Sequence, residues 1–166
     1  LRVAILLLGI LSISNIFAQD SHAVAAVPND AQINCLAQTI YYEAGNQPEI
    51  GKLAVAHVVF NRINHRGWNN DPEAVCKVIK ERNGPRNRYC QWGWVCNQKL
   101  QKAPKNNEQW IACYELAVKL MYQIENRPDP TKGAEFFHGV NEHPYWPTYV
   151  RTTKIGGHIF YRMKVH

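Results

Sequence analysis

Glu43 is the residue of this chain best placed for proton chemistry. It ends the stretch Leu36-Ala37-Gln38-Thr39-Ile40-Tyr41-Tyr42-Glu43. Ile33, Leu36, Ala37, Ile40 and Ala44 recur there at helical spacing and form one apolar stripe. Glu43 shares the face of Leu36, two turns on, so one carboxylate sits among core residues. The spacing predicts a helix over 31–44, capped by Asp30 and stopped by Gly45 in the left-handed conformation. Glu43 then lies in the last turn, where backbone carbonyls carry partial negative charge. Burial and that dipole both disfavour ionisation, which is what a general acid needs near neutral pH. Helix geometry alone also admits a plainer reading, an exposed carboxylate at a fraying helix end.

The rival chemistries are short of parts. His138 and His143 flank Gly-Val-Asn-Glu, one residue off the H-x-x-E-H spacing and in a Pro-containing loop; no H-E-x-x-H or C-x-x-C occurs. No metal and no cofactor is therefore expected. No G-x-S-x-G exists, and serine disappears after Ser21. Lys77, Lys80, Arg82, Arg86 and Arg88 with Tyr89 and Trp92 resemble a basic stripe with stacking aromatics, but aromatics in a groove suit sugar faces equally well. Nucleic acid is not the expected partner.

Glycan cleavage remains. A glycosidase generally needs an acid for the leaving oxygen and a second carboxylate as nucleophile or base. No second Asp or Glu shares the helix face of Glu43, and Glu73, Glu135 and Glu142 each fit a solvated position. With one essential carboxylate, the sugar can supply the nucleophile itself. Its C6 hydroxyl closes an anhydro ring, which is lytic transglycosylation.

Several elements must position this acid. Pro48 suits the first position of a second helix over 48–64, apolar most of the way round and so central. Asp71-Pro72 starts a short third helix to about 80. Residues 81–105 read as a long loop holding the patch Tyr89-Cys90-Gln91-Trp92-Gly93-Trp94. Asn107 caps a long helix to about 126, with Trp110, Tyr114, Ala117, Met121 and Ile124 on one face. The last third changes to strand-like period, over 134–138, 149–154 and 158–163, the latter two joined at Gly156-Gly157, a hairpin signal. Helices first and a small antiparallel sheet last make an α+β domain.

The 166 residues are enough for one domain with a real core, and the net charge of +6 suits an anionic partner. Residues 1–18 read as a signal peptide: Arg2, the apolar run from Val3 to Leu11, and the small-residue end Ile16-Phe17-Ala18. The run falls short of the roughly 20 apolar residues of a stable span, so no lasting membrane insertion is expected after cleavage. Residues 19–30 read as a linker and 31–166 as the catalytic domain. Export to a periplasm or cell surface makes Cys35, Cys76, Cys90, Cys96 and Cys113 disulfide candidates, with at most two bridges and one free thiol. Cys90 and Cys96 are spaced to staple the aromatic loop.

Taken in order, several segments resemble the SleB-like cell wall hydrolase family, the spore-cortex lytic enzymes. They are Ala37 to Ala44, Gly51 to Arg62 (GKLAVAHVVFNR), Val75 to Ile79, Cys90-Gln91-Trp92, Gly133 to His138 (GAEFFH), Trp146, and Lys154 to Arg162 (KIGGHIFYR). The resemblance implies a lysozyme-like, mostly helical fold related to lytic transglycosylases. It implies peptidoglycan as substrate, cut between N-acetylmuramic acid and N-acetylglucosamine, and Glu43 as the catalytic acid/base. Trp92-Gly93 stands where the family has Phe-Ser. On this reading Gln91, His138 and His158 orient sugar or water, and Trp92, Trp94 and Trp146 are sugar-stacking walls. The expected enzyme is a monomer. A muramidase-type hydrolase of the phage endolysin kind and a wall-binding module without catalysis are the alternatives.

Overall fold

The computed structural model describes residues 29–102 and 107–164. The expected signal peptide and all but the end of the expected linker lie outside the described residues. The order of elements is α1 (Asp30–Ala44), α2 (Glu49–Arg66), α3 (Ala74–Lys80), β1 (Arg82–Asn83), β2 (Tyr89–Cys90), α4 (Gly93–Cys96), α5 (Glu108–Gln123), β3 (Phe136–Gly139), β4 (Tyr149–Ile155) and β5 (His158–Met163). The architecture is the α+β one expected, with a helical layer first and an antiparallel sheet of order β3-β5-β4 last.

The apolar stripe of α1 is the centre of the core. Leu36, Ala37, Ile40 and Ala44 are fully buried, and Ile33 nearly so. The stripe packs against α2, α3 and α5. α2 contributes Ala54, Val55, Val58 and Val59, all fully buried. It ends at Gly67, whose left-handed backbone (φ 68°) lets its N–H reach the Asn64 carbonyl while Trp68 N donates to Ile63 O. From α5 come Trp110, Cys113, Leu116, Ala117 and Leu120.

Two disulfides form, Cys35–Cys76 and Cys90–Cys96, and Cys113 is a free, buried thiol. The first ties α1 to α3, a link reinforced where Gln32 Oε1 accepts from Cys76 N at 2.8 Å. The second closes the turn between β2 and the end of α4.

Several boundaries differ from the sequence expectation, each for a local reason. Asn29, not Asp30, caps α1, its side chain accepting from Gln32 N at 3.0 Å. Gly45 is right-handed (φ −55°), so it does not stop the helix by the left-handed route. It is glycine for space: a Cβ there would meet the Tyr41 carbonyl oxygen and the Gln109 side chain. Pro48 is the N-cap of α2 rather than its first residue. Asp71 does turn the chain, accepting from Glu73 N at 2.8 Å, but α3 begins only at Ala74. The expected long loop after α3 holds β1, β2, α4 and two short 3-10 turns among its described residues. β3 starts at Phe136 rather than at residue 134, because the carbonyls of Ala134 and Glu135 are taken by Asn61 and Arg62 of α2. Asn107 caps α5 as expected, accepting from Gln109 N and Trp110 N.

The Cys35–Cys76 bridge closes a sequence separation of 41 residues and the Cys90–Cys96 bridge one of 6. Loop-closure entropy makes the longer bridge the more stabilising. Replacing Cys35 and Cys76 together by alanine should cost about 2–4 kcal/mol in urea unfolding. The same change at Cys90 and Cys96 should cost clearly less.

Candidate active site

Glu43 stands at the seam between the helical layer and the sheet. α1 carries it there because the stripe below it is locked into the core. The next turn is then tied to the sheet: Gln47 Oε1 accepts from Gly157 N at 3.0 Å, across the tip of the β4–β5 hairpin. A Cβ on Gly156 would collide with that same Gln47 amide, and Gly156 has φ 54°, so two glycines let the hairpin tip come this close. His158 follows directly.

α2 docks the segment that leads into β3. Asn61 Nδ2 donates to Asp129 Oδ2 (3.0 Å) and to the Ala134 carbonyl (2.9 Å). Arg62 Nε donates to the Glu135 carbonyl at 2.6 Å. Burial alone would raise the Asp129 pKa, but hydrogen bonds from Thr131, Asn61 and the Gly133 amide hold the carboxyl below its ordinary value. His57 is buried beside it, Nδ1 3.7 Å from Asp129 Oδ1, and burial lowers its pKa despite that carboxylate.

The electrostatics of Glu43 follow from this placement. Burial pushes its pKa up from 4.5 to about 7; the Arg62 charge opposes the rise and the Glu142 charge adds to it. Arg62 is 9 % exposed, the one charged side chain in the buried row of α2. Its guanidinium lies 4.8 Å from the Trp92 ring centroid and 5.3 Å from that of Phe136. Burial lowers its pKa to about 10, so it stays a cation at neutral pH, and its Nη1 finds no partner among the described residues. Glu142 sits on the loop after β3, its Oε2 accepting from Gly139 N at 3.1 Å.

The other expected site residues divide. His158 lies near this cluster: burial lowers its pKa, with Glu142 opposing and His138 adding. Its Nδ1 is buried without a partner among the described residues. Trp146 is half-buried in an aromatic group with Phe136, His138, Tyr149 and Tyr161. Gln91 is half-buried, and no side-chain hydrogen bond ties it to Glu43. Three expectations need correction. Trp92 is 2 % exposed, packed between Arg62 and Phe137, so it has no open face for a sugar. Trp94 is likewise buried, stacked on Tyr42. His138 has both ring nitrogens engaged, Nδ1 with the Gly139 carbonyl (2.7 Å) and Nε2 with the Tyr161 hydroxyl (3.1 Å), so it holds the aromatic group and leaves no nitrogen for substrate.

Arg62 and Glu142 are the members that sequence reasoning undervalued. A lone arginine in the apolar run Val58-Val59-Phe60-Asn61-Arg62-Ile63 was the available signal for the first. Glu142 reads in the sequence only as one of three acids that fit a solvated position, since nothing local links it to residue 43. Among the described residues no group of three or more His, Cys, Asp or Glu is arranged so that it could hold a metal ion. Two clefts elsewhere, of about 730 and 510 Å³, are lined without Glu43. Volume and chemistry thus point to different places. The perturbed carboxyl is the stronger mark of a reactive centre, because empty space transfers no proton.

The raised pKa has a consequence for stability. The folded protein binds the Glu43 proton more tightly than the unfolded chain does. That contribution is present below pH 4.5 and is lost as pH rises through about 7. Glu43→Gln removes the loss. At pH 8 it should be more stable than wild type by up to about 3 kcal/mol, and near pH 4 almost equal, by denaturant unfolding at the two pH values.

The family model described as Cell Wall Hydrolase matches residues 46–161, beginning just past Glu43. Two solved structures are similar over most of the chain. The catalytic domain of the Bacillus cereus SleB protein is 24% identical, with a TM-score of 0.55, covering 82% of this chain and 94% of that one. The catalytic domain of the germination-specific lytic transglycosylase SleB from Bacillus anthracis is 25% identical, with a TM-score of 0.55, covering 81% and 96%. No curated protein matches the chain.

Proposed function

Because the chain belongs to the cell wall hydrolase family, we propose that it cleaves the glycan strands of peptidoglycan as a lytic transglycosylase, with Glu43 as the single acid/base. The observation that carries this is the half-buried Glu43 carboxyl, its pKa raised to about 7. At neutral pH a large fraction of it holds a proton that can be given to the glycosidic oxygen between N-acetylmuramic acid and N-acetylglucosamine. The bond from that oxygen to the muramic C1 breaks, and the new carboxylate is stabilised by the Arg62 cation. It then takes the proton of the muramic C6 hydroxyl while O6 bonds to C1 and closes the anhydro ring. The germination-specific lytic transglycosylase among the similar structures supports this outcome for the fold.

A second reading has its own observation. Glu142 is close enough for its charge to raise the Glu43 pKa. As a base for water it would make the enzyme a muramidase-type hydrolase. His158, Trp146 and Gln91 remain our candidates for binding sugar, with Trp146 offering the half-open aromatic surface. Two disulfides and a wall substrate support export, with residues 1–18 as the signal, 19–30 as the linker and 31–166 as the catalytic domain. A monomer is the form proposed.

Digestion of purified peptidoglycan, read by mass spectrometry, tests both readings. Glu43→Gln should lose about 10²–10⁴-fold in rate; full activity in that variant would overturn the assignment. Anhydromuramic ends with only a modest loss in Glu142→Gln support transglycosylation. Reducing muramic ends with a loss in Glu142→Gln as deep as in Glu43→Gln decide for the hydrolase. The acid must be protonated, so the rate should fall as pH rises through about 7. A rate that keeps rising to pH 9 contradicts Glu43 as the proton donor.

A further inference from the structure

The 730 Å³ cleft lies where the end of α2, the turn before β3 and strands β4 and β5 meet. Lys132, Arg151, Arg162 and Lys164 line it against one carboxylate, Glu135. All four cations are exposed, and none of them is in an ion pair among the described residues. Glu135 is already engaged, its Oε2 3.3 Å from His65 Nδ1. The cleft therefore presents four cations against one carboxylate, an excess of positive charge.

Its backbone is shaped to hold these groups. Lys132 has φ 59°, a left-handed conformation that a lysine adopts only under constraint. The constraint is visible: the Asp129 carboxylate accepts from Thr131 N (2.7 Å) and Gly133 N (2.8 Å) on either side of it. On β4, Arg151 pairs with Tyr161 and Thr153 with Phe160, so Thr152 is an extra, bulged residue. Bulges re-aim the side chains around them, and Thr152 itself lines the cleft between Arg151 and the rest of β4. Lys164 Nζ is fixed to the Pro147 carbonyl at 2.7 Å.

We propose that this cleft binds the carboxylates of the acidic stem peptides that peptidoglycan carries along its glycan strand. The proposal rests on the reading of the chain as a peptidoglycan-cleaving enzyme and adds a second, peptide-recognising site to it. Two arginines supply planar forks that match carboxylates. Val150 and Met163 supply apolar surface beside them, suited to short alkyl side chains. Glu135 within the cleft disfavours a densely charged phosphodiester polymer and tolerates a peptide that also carries an ammonium group. Apart from His65 no ring lines the cleft, so the stacking platforms that single-stranded nucleic acid uses are missing there.

Calorimetric titration with the free stem tetrapeptide tests this directly, because it needs no catalysis. The wild type should bind it, and the double variant Arg151→Glu/Arg162→Glu should bind at least about tenfold more weakly. The double variant Arg151→Lys/Arg162→Lys keeps the charge without the fork and should bind more weakly than wild type but more tightly than the charge reversal, and thermal melts check that both variants are folded. Binding that is absent in the wild type, or unchanged by the folded charge reversal, overturns the proposal. So does tighter binding of poly(glycerol phosphate) than of the tetrapeptide. Cleavage of peptide-free glycan strands is measured beside it. Cleavage without tetrapeptide binding sinks the cleft and leaves the enzyme reading standing. Tetrapeptide binding without cleavage does the reverse.

Discussion

The buried guanidinium of Arg62 is the joint on which the helical layer and the sheet depend. Removing a cation from water is expensive unless its environment compensates. Here compensation comes from three directions: the Glu135 carbonyl at 2.6 Å, the faces of Trp92 and Phe136, and the charges of Glu135, Glu81 and Glu43. These groups come from four separate parts of the chain: the end of α1, the residue after α3, Trp92, and the Glu135-Phe136 entry to β3. Satisfying Arg62 therefore docks the segment before β3, seats Trp92 and holds the end of α1 nearby in one step. Asn61, one residue earlier, repeats the clamp on Asp129 and Ala134. The pair works as a hinge pin because both side chains leave the same buried helix.

The same cation sets limits on the acid. Burial by itself drives the Glu43 pKa up, and an unopposed buried carboxyl would hold its proton too tightly to release it near neutrality. Arg62 pulls the value down and Glu142 pushes it back up, leaving it at about 7. A group that must first give and then take a proton works best with a pKa close to the working pH. The balance uses one fixed charge on a buried helix and one charge on a surface loop. The fixed partner is held in the core, and the loop partner is held by the Gly139 amide.

Local patterns in the sequence carried most of the fold. The stripe of α1, the Asn107 cap and the Gly156-Gly157 hairpin were all legible because periodicity and turn chemistry act over a few residues. What was not legible depends on contacts far apart in the chain. Gly45 read as a left-handed stop, yet it is held right-handed and kept small beside Gln109. Trp92 and His138 carry the right side-chain types for sugar binding, but residue type does not show that one is enclosed or that the other has both nitrogens bonded. Glu43 was legible as one carboxylate on a core stripe. Its two electrostatic partners were not, since Arg62 and Glu142 reach it only through the docking of α2 and of the loop after β3.

With Glu43 as the acid we propose, this division bears on how one fold could run two outcomes. The acid and its cation are locked: Glu43 by a stripe of fully buried residues, Arg62 by a buried helix. Moving either would open the core, so the proposed proton donation belongs to the rigid part of the domain. What happens next, attack by the sugar's own hydroxyl or by water, depends on whether a second carboxylate stands over the sugar. Glu142 is exposed, in a segment whose backbone ties are the Glu142 N to Gly139 O bond and the Val140 N to Gly157 O bond, each 2.9 Å. A short loop anchored only at its base can be re-aimed by a few substitutions without disturbing any buried group. On the proposed function, the choice between transglycosylation and hydrolysis is thus carried by the element that costs least to change, while the step common to both is carried by the element that costs most.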